Sequence, residues 1–141
     1  MSVVLDLIAN VTHRPGGVAV IDGEVTLTWS ELFSLVRQVG AWLAAEGFAR
    51  GDRLVYAGAP DHRMVVWFWA ALRQGVVFVP LHDELTAEQI SYTVTNCRAR
   101  AVVTDPRAGT LELTSGPRVL TSDAAWLSAL ACNPDQWSAP R

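Results

Sequence analysis

Between Thr28 and Leu130 the sequence alternates between two periodicities, and that alternation constrains the fold more than any single residue does. Leu32, Leu35, Val36, Val39, Trp42 and Leu43 lie at helical spacing and form one apolar stripe. Thr28-Trp29-Ser30-Glu31 precedes the stripe as a capping box, in which Thr28 and Glu31 close each other's free backbone N–H groups. Gly47 is placed to end that helix in the left-handed conformation. Arg53–Ala57 reads as a strand, Asp61 or Pro60 opens a helix to about Gln74 with Gly75 behind it, and Val76–Val79 is a strand stopped by Pro80. A second capping-box pattern, Thr86-Ala87-Glu88-Gln89, starts a helix with Ile90, Val94 and Cys97 inward. Ala101–Thr104 and Arg118–Thr121 read as further strands, and Ser122-Asp123 caps a short helix through about Leu130. Helix, strand, helix, strand, helix, strand, strand, helix is the order of an α/β fold. It predicts a mostly parallel sheet with helices on both faces.

Ahead of this pattern, Val4, Leu7, Ile8 and Val11 have helical spacing, and His13-Arg14-Pro15-Gly16-Gly17 breaks the helix. Val18–Ile21 and Val25–Thr28 flank Asp22-Gly23-Glu24, a hairpin signal because Gly accepts the positive φ of a tight turn. Val65 to Leu72 is apolar on every side of its helix, and such a helix needs cover all round. Residues 1–132 therefore read as one α/β unit and 133–141, with Pro134 and Pro140, as a linker or tail.

Composition excludes several classes of function. Half of the 141 residues are apolar, so a core is within reach, and no disordered or collagen-like bias exists. The net charge of −3 and scattered basic residues give no stripe for nucleic acid and no patch for a membrane. All eleven cationic side chains are Arg and none is Lys, which excludes any mechanism needing a lysine amine from this polypeptide. Cys97 and Cys132 are far apart with no CxxC, and they read as free thiols of a cytosolic protein. The start has no basic segment before its apolar residues, and the run Met64–Leu72 is far too short to span a bilayer, so a cytoplasmic location is expected.

Four segments carry a family resemblance. Leu27-Thr28-Trp29-Ser30-Glu31-Leu32 resembles the "LTY-x-EL" segment of adenylate-forming enzymes, and Gly51-Asp52-Arg53-Leu54-Val55 resembles their "GDRV" strand entry. Ala71 to Leu81, ALRQGVVFVPL, is similar to "LKAG-x-x-YVPL", and Ile90–Thr104 to the continuation that ends in a "VVT" strand. Their order and separation agree from about residue 12 to 105. The family includes acyl-CoA ligases, luciferases and the adenylation domains of peptide synthetases, so the resemblance implies part of an N-terminal adenylation subdomain. His82-Asp83-Glu84 departs from the Asp or Asn then Pro usual after the third segment, and Arg73-Gln74 stands where Lys-Ala is common.

The resemblance implies ATP and Mg2+ as cofactors of a complete enzyme. It also implies a Gly- and Ser/Thr-rich phosphate loop ending in Lys, a nucleotide site and a C-terminal lysine, all beyond the matched segments. Thr114-Ser115-Gly116 has the opening letters of that loop, but Pro117-Arg118 follows where Ser/Thr and Gly belong, so it reads as a turn before a strand. His13, His62 and His82 lack metal-ligand spacing, Asp61-His62-Arg63 reads as helix capping rather than a relay, and no GxSxG elbow exists. Trp67 and Trp69 read as core or interface. The sequence thus assigns no catalytic residue, no cofactor-binding residue and no metal ligand to this chain, and expects a scaffolding role for Leu72, Gly75, Pro80 and Leu81.

Three readings are carried forward. The chain is one piece of a split adenylating enzyme completed by a partner polypeptide, or the front piece of a longer synthetase or ligase. Alternatively it is a free-standing, non-catalytic interaction module, such as a homodimer.

Overall fold

Parallel pairing of four short strands organises the molecule. The computed structural model describes residues 3–82, 84–113 and 116–136. Its elements are α1 (Val3–His13), β1 (Val18–Asp22), β2 (Val25–Thr28), α2 (Trp29–Ala45), β3 (Arg53–Ala57), α3 (His62–Gln74), β4 (Val77–Pro80), α4 (Ala87–Asn96), β5 (Ala101–Thr104), β6 (Arg118–Thr121) and α5 (Ser122–Leu130). β1 and β2 form an antiparallel hairpin, while β4-β3-β5-β6 is a four-stranded sheet whose neighbours are all parallel.

The predicted alternation thus produces the predicted α/β architecture. Leu54, Tyr56, Ala101 and Val103 face α2, α3 and α5 in the larger core, together with Trp42, Trp67, Val36 and Val39. Val55, Ala57 and Val102 point to the opposite face, where Ile90 and Val94 of α4 cover them. One-residue alternation of β3 and β5 therefore feeds two cores, and both strands are buried along most of their length. Trp67 is central: it is 1% exposed and meets Trp42 edge-on, with ring centroids 5.4 Å apart.

Local chemistry sets the helix ends. Thr28 Oγ1 accepts from the Glu31 N–H while the Glu31 carboxylate accepts from the Thr28 N–H, and Thr86 with Gln89 repeats the box on α4. Asp61 is the N-cap of α3, accepting from the Arg63 N–H. Gly75 ends α3 at φ 76°, where a Cβ would stand 3.0 Å from Arg50 Cγ. The Val76 N–H bonds the Ala71 carbonyl, so β4 begins one residue later than predicted, at Val77.

Four further details differ from the sequence reading. The N-cap of α5 is Thr121, whose Oγ1 accepts from the Ala124 N–H; Ser122 instead donates its hydroxyl to the Thr104 carbonyl. Cys97 is the C-cap of α4 and only half-buried. Phe68 on the all-apolar α3 stays 38% exposed. Pro134–Gln136, inside the segment read as a linker, forms a 3-10 turn against α2, with the Arg37 guanidinium donating to the Pro134 carbonyl and to Asp135.

Candidate functional site

In an open α/β sheet the favoured place for a ligand is the crevice at the carboxyl ends of the strands, where successive connections leave in opposite directions. Here that point lies between β3, which connects through α3 to β4 on one side, and β5, which leads to β6 on the other. Around it stand Tyr56 in β3 and Gly58 just after it, Asp61–Arg63 at the start of α3, Thr104 and Asp105 at the end of β5, and Ser122–Asp123 at the start of α5. A crevice of about 590 Å³ beside it is lined by Glu84, Leu85, Thr86, Ala87, Asp105, Arg107 and Ala108.

The polar groups of this end are paired with one another. The Arg63 guanidinium donates to Asp61 at 2.8 and 3.0 Å and to Asp123 at 2.8 Å, tying the first turns of α3 and α5 together. Hydrogen bonding to Asp61 raises the Arg63 pKa still further. Asp22, in the hairpin, accepts from the His62 backbone N–H and sits 3.0 Å from His62 Nδ1, while the His62 ring meets Trp126 edge-on. The side-chain bond from His62, then the backbone bond, hold the Asp22 carboxyl below its usual range. Arg107 does the same for Asp105 through its side chain first and its N–H second.

Tyr56 is the exception. It is 1% exposed, its hydroxyl has no hydrogen-bond partner among the described residues, and burial pushes its pKa up to about 12. A neutral phenol shut away from water serves neither as a base nor as a nucleophile at neutral pH.

The sequence-singled residues occupy structural positions. His62 and Asp61 anchor the start of α3, His13 ends α1, and His82 Nδ1 accepts from the Glu84 N–H. Among the described residues no group of three or more His, Cys, Asp or Glu is arranged to hold a metal ion. Thr114 and Ser115 of the loop-like tripeptide lie outside the described residues. Gly75 lies two residues before β4, Pro80 is its last residue, and the Leu81 N–H bonds the Tyr56 carbonyl. The Asp22–His62 and Arg63–Asp123 pairs escaped sequence reasoning, because partners 40 and 60 residues apart leave no local pattern. The cations described at this end do not fit the phosphates of ATP unaided: Arg63 already holds Asp61 and Arg107 holds Asp105.

Comparison with known proteins places these observations. The chain is 35% identical over 89 residues to a 4-hydroxybenzoate--CoA/benzoate--CoA ligase of Rhodopseudomonas palustris, covering 63% of this chain and 16% of that protein. It is 29% identical over 128 residues to malformin synthetase mlfA of Aspergillus tubingensis, covering 90% of this chain and 2% of the synthetase. Among solved structures it superposes on VinN with a TM-score of 0.89 at 27% identity, over all of this chain and 39% of VinN. The chain thus spans much less than half the length of the relatives it matches. The family model described as AMP-binding enzyme matches residues 7–137, and the chain belongs to that adenylate-forming family.

Proposed function

We propose that this chain is the N-terminal part of an ATP-dependent enzyme that activates a carboxylic or amino acid as its acyl-adenylate. It works only when completed by a partner polypeptide or downstream segment that carries the phosphate loop, the nucleotide site and the lysine. Family membership across residues 7–137 is the observation that carries this reading. Joining a carboxylate to the α-phosphate expels pyrophosphate, and the charge that develops needs hydroxyl and backbone donors, a metal ion and a cation. ATP and Mg2+ are therefore cofactors of the completed enzyme, and this chain, with no Lys, contributes scaffold. The similar proteins include CoA ligases, peptide synthetases and an acyl-carrier-protein ligase, so coenzyme A and a carrier-protein thiol are the two acceptor classes. No described helix is long and apolar enough to cross a membrane, and a cytoplasmic workplace with ready ATP fits the reading.

Exchange of labelled pyrophosphate into ATP tests the proposal. The chain alone is expected to show none with a panel of aryl, fatty and amino acids. The polypeptide recovered on the tagged chain, or the continuous longer chain, restores exchange for one acid class. Exchange by the isolated chain, or none from any recovered complex, refutes the proposal. Exposed Val3 and Leu5 on α1 and Leu127 on α5 favour one second reading, a non-catalytic module that self-associates. A native homodimer with no adenylating companion is the outcome that selects it.

A further inference from the structure

Arginines that lie scattered along the sequence are gathered by the fold at one end of the parallel sheet. Arg53 opens β3, Arg118 opens β6, and Arg100 immediately precedes β5. The Arg100 N–H bonds the Arg53 carbonyl and the Arg118 N–H bonds the Arg100 carbonyl, so the three stand in a row across neighbouring strands. Strands are spaced about 4.8 Å apart, which makes the row about 10 Å long. Arg50, in the turn before β3, and Arg98, between α4 and β5, flank it. All five arginines are exposed, and Glu46 and Asp52 are the carboxylates paired among them. The carboxyl ends of the strands carry the opposite balance, with Asp22, Asp61, Glu84, Asp105 and Asp123 around Arg63 and Arg107.

Two of the five show which chemistry this row takes. Arg100 faces Asp52 at 3.6 Å, and Arg118 pairs with Glu46. Among the described residues, the guanidinium groups of Arg50, Arg53 and Arg98 hold no carboxylate, carbonyl or ring. Arg98 stands at φ 53°, a left-handed position that Gly or Asn fills with less strain, so the backbone there does not call for an arginine. Val77, 48% exposed, lies opposite Arg53 in the β3–β4 register and adds an apolar foothold. Nucleic acid would find no stacking platform, because the nearby rings of Trp42 and Phe48 are 4% and 5% exposed. Three unpaired cations also fall short of the roughly four to eight that hold an anionic membrane.

We propose that the amino ends of β3, β5 and β6 form a docking surface for an acidic segment of a partner protein. Asp or Glu side chains of that segment pair with Arg50, Arg53 and Arg98, continuing the alternation that Asp52 and Glu46 begin on Arg100 and Arg118. Arginine suits this role, because its planar fork takes a carboxylate through two parallel hydrogen bonds. The surface lies across the sheet from the candidate site. It therefore serves assembly rather than the chemistry of adenylation, and it stands independently of the completion reading.

Fluorescence polarisation of a labelled peptide, in which Glu residues flank one Leu, tests the surface on the full chain at low ionic strength. The peptide is expected to bind at least about tenfold tighter than its Gln counterpart, and to weaken as salt screens the charges. Arg50→Gln, Arg53→Gln and Arg98→Gly together are expected to weaken binding about tenfold, since each exposed charge pair contributes about two- to fivefold. Gln keeps the part of Arg50 that packs on Gly75, and Gly suits the left-handed position of residue 98. The triple variant is therefore expected to retain the wild-type circular dichroism and urea midpoint. Should it not fold, Arg53→Gln alone carries the test, with about a two- to fivefold loss expected. Arg107→Gln, at the other end of the sheet, leaves peptide binding unchanged. Equal affinity for the Glu and Gln peptides, or equal losses from Arg107→Gln and the amino-end variants, overturns the proposal. So does tighter binding of an oligouridylate or of phosphatidylserine vesicles.

Discussion

Replacing Tyr56 by Phe should stabilise the protein. The ring is packed against Phe78, with centroids 5.7 Å apart, and the phenol is sealed from water with no hydrogen-bond partner among the described residues. The atoms nearest its end crowd the space above Gly58, where a Cβ would meet Ser122 Oγ, Tyr56 Cζ and Tyr56 Oη at 3.1 Å each. Ser122 spends its hydroxyl proton on the Thr104 carbonyl 3.1 Å away. A buried hydroxyl left unpaired costs about 1–3 kcal/mol, whereas the ring it sits on keeps its apolar contacts after the change. Taking the lower half of that range, Tyr56→Phe gains about 1 kcal/mol, which for a domain of this size raises Tm by roughly 3–4 °C. Urea unfolding followed by tryptophan fluorescence, with the slope m held constant, measures the gain.

The same side chain supplies a pH control. Burial holds the folded-state pKa at about 12 against 10.0 for the free phenol. The unfolded chain therefore ionises first as pH rises, and stability that is whole below pH 10 is lost as pH climbs towards 12. Tyr56→Phe removes that loss, so the variant's advantage over wild type should stay constant below pH 10 and widen above it. A variant less stable than wild type by 1 kcal/mol or more, or an alkaline limb identical in both proteins, would show that the hydroxyl is satisfied in solution and refute the reasoning.

Other expectations follow from the caps, the turn and the ion pairs. Thr28→Ala removes one half of a capping box and should cost about 1 kcal/mol in urea unfolding. Gly75→Ala forces a side chain into a left-handed backbone against Arg50 and should cost about 1–2 kcal/mol, with β4 losing amide protection first. Asp22 and Asp105 both have depressed folded-state pKa values, so their contribution is present above the ordinary carboxylate range and is lost as pH falls below it; Asp22→Asn should flatten part of that acid limb. Arg63→Met should cost about 1–2 kcal/mol while Asp123→Asn stays within roughly 0.5, because Asp61 is 22% exposed and Asp123 is 80% exposed. Equal losses in a double-mutant cycle would refute that ranking.

Signals confined to a few residues were legible, and those that join distant residues were not. Thr28 with Glu31, Thr86 with Gln89, and Gly75 behind α3 are each complete within four residues, so the sequence reveals both the chemistry and the helix end. The short apolar runs Leu54–Ala57 and Ala101–Val103 announce buried strands, yet nothing local states that β3 lies between β4 and β5. Thr121 and Ser122 are both good N-cap residues, and only the Thr104 carbonyl, supplied by another strand, decides between them. Phe68 looked as buried as Trp67 because periodicity cannot rank neighbours on an all-apolar helix; packing against Trp42 favours one and leaves the other at the rim. The polar end of the sheet was the least legible part, since the Asp22, His62, Asp61, Arg63 and Asp123 cluster draws on three separate elements.

That cluster also bears on what the chain lacks. A phosphate-transfer centre requires cations whose charge is available to the substrate, and an arginine already locked on a carboxylate offers little of it. Arg63 holds Asp61 and Asp123, Arg107 holds Asp105, Arg100 reaches Asp52, Arg118 pairs with Glu46 and Arg37 with Asp135. Each of these pairs fastens an element end: Arg63 the starts of α3 and α5, Arg100 the last turn of α2 through the Glu46 carbonyl, Arg37 the turn after α5. Lys is absent, and the charge of these five arginines serves the chain's own fold. An adenylating enzyme built on it would draw the charge that meets pyrophosphate from elsewhere.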